Sequence, residues 1–162
     1  MYESFLKWKG KKIYGKDTNK YYGRLSDILV NKDTSMIIGI ISKNDSLIYK
    51  HRLFLIKDVI KWDEVCIYVK GYGEKFVKVV PLFENFKSCE NDIYGKSAVY
   101  SDGTRAGRVR NIGFNFEAGE LAAFEVGSSL VQDLLSGRLI CPAQNTVNYL
   151  QDCIVLEKAD KF

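Results

Sequence analysis

The residues able to do chemistry are few and scattered. A single histidine, His51, stands between Lys50 and Arg52. With no second imidazole, the chain indicates neither a Ser-His-Asp or Cys-His arrangement nor a histidine-rich metal site. His51 reads as a polar loop residue. The four cysteines, Cys66, Cys89, Cys141 and Cys153, never form a C-x-x-C pair, so a zinc knuckle and a redox dithiol are both unsupported. Cys66 and Cys153 lie in alternating apolar runs, where cysteine acts as a small hydrophobe. The pair Asp63-Glu64 could do acid–base work only if buried against an opposing partner, and it reads as solvated. Gly71-x-Gly73 lacks the third glycine of a dinucleotide site, and Gly103-x-x-x-Gly107 lacks the Gly-Lys-Ser/Thr ending of a phosphate loop. These residues lead us to expect no enzyme, no cofactor and no metal.

Binding is better represented. Near the amino terminus Phe5, Trp8, Tyr14, Tyr21 and Tyr22 alternate with Lys7, Lys9, Lys11, Lys12, Lys16 and Lys20, a mixture suited to phosphate contact and base stacking. Lys7, Trp8, Lys9, Lys11, Lys12 and Arg24 are the candidate nucleic-acid contacts. The competing reading is structural: lysines on an edge strand prevent sheet-to-sheet pairing, and tyrosines pack barrel surfaces. Net charge is +4 overall. Residues 1–81 carry 16 Lys and Arg against 9 Asp and Glu, whereas 82–162 carry 8 against 11. That asymmetry fits an acidic partner for the first half but does not require one.

The elements that must position these residues read as short strands. Residues 23–30 and 36–41 are β-branched, apolar-rich runs separated by the turn formers Asn31-Lys32-Asp33-Thr34-Ser35, a hairpin signal. The pattern returns as 108–116 and 121–126 around Glu117-Ala118-Gly119-Glu120. Further strands are expected at 53–56, 65–69, 76–80, 139–141 and 153–156. Helix is a minority: 129–135, ended by Gly137 as a C-cap, and a turn near 58–61 with Asp58 as N-cap. No run approaches the ~20 apolar residues of a membrane-spanning helix, and no leader-like apolar block opens the chain. A cytoplasmic protein without membrane insertion is expected.

The halves align with each other. Tyr14-Gly15-Lys16 recurs as Tyr94-Gly95-Lys96, and Gly23-Arg24-Leu25-Ser26-Asp27-Ile28 as Gly107-Arg108-Val109-Arg110-Asn111-Ile112, the shift growing from 80 to 84. Leu53-Phe54-Leu55-Ile56 answers to Leu139-Ile140-Cys141-Pro142 and Glu64-Val65-Cys66-Ile67 to Asp152-Cys153-Ile154-Val155, with shifts of 86 and 88. Asp27 and Asn111 thus take equivalent places, where a short polar side chain can bond nearby backbone and shape a turn or bulge; Gly107 and Gly137 are read as turn positions. The expected organisation is a first module at 1–80, a linker at 81–91 that packs through Leu82, Phe83 and Phe86, and a second module at 92–162. The expected fold is mostly β, as two tandem small barrels with short helical turns.

The string Ser101-Asp102-Gly103-Thr104-Arg105-Ala106-Gly107-Arg108-Val109-Arg110-Asn111-Ile112, followed by Gly119-Glu120-Leu121 and Leu135-Ser136-Gly137-Arg138-Leu139-Ile140, resembles the PRC-barrel family. The resemblance covers residues 13–80 and 93–158, the first copy having Thr18-Asn19-Lys20 in place of the Asp-Gly turn. Members of that family include stand-alone bacterial proteins, the carboxy-terminal domain of RimM-type ribosome-maturation factors and the cytoplasmic domain of the photosynthetic reaction-centre H subunit. The resemblance implies a small β-barrel that binds other macromolecules and carries over no catalytic residue. The expected function is a non-enzymatic adaptor that docks a protein partner through a barrel surface. The alternative is an RNA- or ribosome-associated factor using the basic first half, and a homo-oligomer stays open.

Overall fold

The computed structural model describes residues 2–45, 51–75 and 85–158. These residues form fifteen short strands, two short α-helices and a few single turns, divided between two compact units. One unit is residues 7–90; the other is residues 91–162 together with residues 1–6. No helix among the described residues is long and apolar enough to cross a membrane.

The first unit is built on a long hairpin, β3 (Tyr21–Asn31) and β4 (Ile37–Lys43). Its turn uses Ser35 at φ 60°, and the Asn31 side chain accepts from the Asp33 and Thr34 N–H groups, a local bond that favours turn over strand. β5 (His51–Leu55) pairs with β4, and a 3-10 turn at Ile56–Asp58 leads into β6 (Val59–Trp62). Asp58 therefore ends a turn and does not open a helix. β7 (Cys66–Val69) runs parallel to β2 (Lys12–Gly15), which returns the chain to β3. The order is β6-β7-β2-β3-β4-β5-β8, where β8 is the two-residue strand Glu74–Lys75.

The second unit repeats this path. β11 (Arg105–Asn115) and β12 (Glu120–Gly127) form its long hairpin, and β13 (Leu139–Pro142), β14 (Thr146–Tyr149) and β15 (Cys153–Leu156) follow, with β10 (Ser97–Tyr100) parallel to β15. The order is β13-β12-β11-β10-β15-β14. The fold is thus mostly β, as two small barrel-like units in tandem.

Register fixes which residues correspond. Asp27 pairs with Ile41 and Asn111 with Glu125, each immediately after a register shift in its strand. Leu53 lies opposite Ile41 and Ile140 opposite Glu125, so Leu53 corresponds to Ile140 and not to Leu139. Cys66 pairs with Lys12 and Cys153 with Ser97, so those cysteines correspond and the offset there is 87, not 88. The identical letters Tyr-Gly-Lys at 14–16 and 94–96 do not correspond. Gly10 and Gly95 do: each receives a guanidinium on its carbonyl, from Arg24 at 3.0 Å and Arg108 at 2.6 Å.

The chain between the units is not a plain linker. Residues 76–84, including the strand expected at 76–80, lie outside the described residues. Beyond them β9 (Phe86–Ser88) pairs antiparallel with the end of β3, and a π-helical turn at Cys89–Ile93 follows. The corresponding strand of the first repeat is β1 (Glu3–Ser4), followed by the one-turn α1 (Phe5–Trp8). β1 pairs with the end of β11. Each repeat therefore opens with a leader strand that completes the sheet built by the other repeat, and this is why residues 1–6 count with 91–162.

Both cores are aliphatic and aromatic. Ile13, Leu25, Ile28, Ile40, Phe54 and Ile67 fill the first, while Ala98, Val109, Ile112, Phe114, Phe124 and Ile154 fill the second. Phe5 is fully buried in the second unit, edge-on to Phe114 at 6.4 Å; burying such a side chain is worth about 1.5–3 kcal/mol.

Candidate docking surface

The leader strands explain the two buried polar residues. β4 runs along one edge of β3, while β2 and β9 share the other edge end to end. Asp27 sits where one neighbour stops and the next begins. Its carboxylate accepts from its own neighbour Ile28 N at 2.8 Å, from Glu90 N at 3.0 Å and from the Ser88 hydroxyl. Burial pushes its pKa up to about 6 against those donors, which pull it down. Asn111 does the same work in the other unit: its Oδ1 accepts from Ile112 N at 2.9 Å and Leu6 N at 3.4 Å, and its Nδ2 donates to Ser4 Oγ at 2.8 Å. Gly107, at φ 143°, would direct a Cβ onto the Gly127 carbonyl oxygen at 2.5 Å, so a side chain is excluded there. Gly137, at φ 75°, closes a helix as its C-cap.

Several of the six basic and aromatic candidates of the first half are held by structural partners. Trp8 is buried, edge-on to Trp62 at 5.2 Å, with the Lys11 ammonium 3.7 Å from its ring centre; its face is closed to a stacking base. Lys11 also donates to the carbonyls of Asp63 and Glu64, as Lys96 does to Gln151 in the other unit. Asp63 is meanwhile held below the usual carboxylate range by the N–H groups of Cys66 and Val65. Arg24 is occupied by the Gly10 carbonyl, and Lys9 pairs with Glu90 at 2.6 Å. Lys7 and Lys12 are exposed. A basic cleft of about 150 Å³ does exist in this unit, lined by Lys20, Tyr21, Tyr22, Asn44 and Arg52. Only its lysine and tyrosines were singled out by the sequence pattern.

His51 is not in a loop. It lies in β5 opposite Lys43. All four cysteines are free thiols, and burial raises the Cys141 pKa.

The surface that stands out physically lies in the second unit. The helix α2 (Leu130–Ser136) is N-capped by the Ser129 hydroxyl, which accepts from Gln132 N, and is tied at Asp133 by Arg138 at 3.7 Å. Its aliphatic residues nevertheless face water: Leu130 is 76%, Val131 69%, Leu134 87% and Leu135 83% exposed. They fall at i, i+1, i+4 and i+5, a single stripe. Gly137 and Arg138 lead straight into β13, where Leu139 and Ile140 are also exposed. Six aliphatic residues within eleven positions, left uncovered by the described residues of their own unit, mark an interaction surface. The sequence shows the helix and its C-cap; it cannot show that no neighbouring element among the described residues covers the stripe.

Residues 4–72 match the family model described as the PRC-barrel domain. The match starts at β1 and runs past β7, so it spans one whole repeat including its leader. No curated protein matches the chain. Domains of this family are generally non-catalytic and mediate protein interactions.

Proposed function

We propose that this protein, whose residues 4–72 carry a PRC-barrel domain, is a non-enzymatic cytoplasmic adaptor that docks a protein partner on the aliphatic face of its second unit. The observation that carries the reading is the exposed stripe of α2 beside Leu139 and Ile140. Exposing a stripe of that kind to water costs free energy, and burying it recovers roughly 25 cal/mol per Å² of apolar area covered. The four free thiols suit a reducing compartment. The test is retrieval of partners from source-cell lysate with the tagged protein, with and without ribonuclease, using the unaltered chain and Leu134→Glu. A partner that survives nuclease and is lost with Leu134→Glu supports the reading; one retained equally by the variant defeats it.

The RNA-associated alternative is supported by the cleft of Lys20, Tyr21, Tyr22 and Arg52. It predicts binding to single-stranded RNA that falls steeply with salt, because phosphate contacts release counterions. Binding unchanged by Lys20→Glu with Arg52→Glu would remove it.

A further inference from the structure

The two units differ at one edge. In the first, the outer edge of β5 carries β8, with Arg52 opposite Lys75 and Leu53 opposite Glu74. β8 ends the sheet order, so the occupant is a lone extended segment with no further strand beyond it among the described residues. The corresponding strand of the second unit is β13, and among the described residues nothing pairs with its outer edge. Leu53 is 2% exposed, while its counterpart Ile140 is 47% exposed; Arg52 corresponds to Leu139. The edge is thus more apolar in the unit where it is uncovered. An uncharged apolar edge strand is the arrangement that recruits another strand, and Pro142 at its end limits how far pairing can run.

We propose that β13 is a strand acceptor: it takes one extended segment of a partner protein, antiparallel as β8 lies on β5, whose side chains lie beside Leu139 on one face of the sheet and Ile140 on the other. This deepens the docking reading and rests on it. Main-chain hydrogen bonds supply the affinity, and the aliphatic residues on the two faces select β-branched or apolar side chains. A single segment, and not the sheet edge of a second copy, is what the first unit holds at this position.

The probe is a ten-residue peptide alternating valine and threonine with lysine at both ends, with two twins N-methylated on odd or on even amides. An added strand uses one edge only, so one twin keeps the binding of the parent and the other loses it. Hydrogen exchange on the intact protein is expected to slow at least tenfold with the parent peptide at the outward-facing amides of β13, those that do not point to β12, and Leu139→Lys to weaken binding at least tenfold. Equal binding of both twins overturns the strand geometry in favour of plain apolar contact. Slow exchange of these amides in the free protein at every concentration, or slowing that grows with protein concentration alone, overturns it in favour of the chain itself or a second copy. Failure of the parent peptide to bind at about 1 mM, the weak end of specific affinity, also overturns it. In each case, a partner still lost with Leu134→Glu would leave docking standing, so the two readings fail separately.

Discussion

Asp27 and Asn111 hold the same position in two sheets, each just past a register shift and each bonded to the serine of an arriving leader strand, Ser88 for Asp27 and Ser4 for Asn111. One unit does with a carboxylate what the other does with an amide. The amide version shows that Nδ2 can donate to the serine hydroxyl while Oδ1 still accepts two backbone N–H groups.

Asp27→Asn should therefore keep the geometry and remove a titration. Asp27 ionises near 3.8 when unconstrained and near 6 in the fold. Between those values the folded chain holds a proton that the unfolded chain has lost. The group's contribution is most favourable below about pH 4, declines as pH rises to 6 and is flat above. We expect the Asp27→Asn variant to unfold with less pH dependence over that interval and to be the more stable form at pH 7, by up to about 2–3 kcal/mol. Urea unfolding at pH 4, 5, 6 and 7 checks this; an unchanged slope of stability against pH would contradict it.

Phe5 lies fully buried beside Phe114, so Phe5→Ala should destabilise the second unit by about 3–5 kcal/mol. Residues 91–158 alone should fold poorly, and a peptide of residues 2–8 added in trans should restore near-ultraviolet dichroism. A fragment that folds equally well without the peptide would show that the leader is dispensable.

Gly113 carries the ring of Tyr2: a Cβ there would overlap the ring carbons. Tyr2 also donates to Glu125 at 3.2 Å, and burial together with that neighbouring carboxylate raises the Tyr2 pKa. The same place in the first unit is an aliphatic cluster of Leu29, Ile41 and Leu53 against Phe86. Gly113→Ala should cost about 1–3 kcal/mol by overpacking, and much less in a Tyr2→Ala background. Equal cost in both backgrounds, measured by thermal unfolding, would place the strain elsewhere.

Leu134→Glu and Leu135→Glu change side chains that are solvent-exposed, so unfolding free energies should stay within about 0.5 kcal/mol of the parent. A larger loss would mean the stripe is needed for folding, and its variants could not then report on docking.

Much of this architecture is visible in the chain and some cannot be. The hairpins β3–β4 and β11–β12 declare themselves because alternating apolar runs flank local turn formers at Asn31–Ser35 and Glu117–Gly119. The helix of Leu130–Ser136 is marked by Gly137, while the sequence pattern makes its N-cap Ser129 the first helical residue. The leader strands are not visible: β1 has two residues, too few for a period, and its partner lies over a hundred residues away. The match of Tyr14-Gly15-Lys16 to Tyr94-Gly95-Lys96 misleads because it compares letters, whereas the fold repeats a bond. Arg24 reaches Gly10 across 14 residues and Arg108 reaches Gly95 across 13; that near-constant spacing is the signal that could have found the true alignment. The dispersal of Lys9, Lys11 and Arg24 into carbonyl and carboxylate contacts depends on tertiary neighbours that no local pattern specifies.

The crossing of the two leader strands also sets an order in time. Tyr2 is synthesised 123 residues before Glu125, its partner. At about 5–20 residues per second, the opening segment waits roughly 6–25 s for a sheet to join, with Phe5 uncovered throughout. Residues 2–5 are thus made well before their partners and are among the last to find their place.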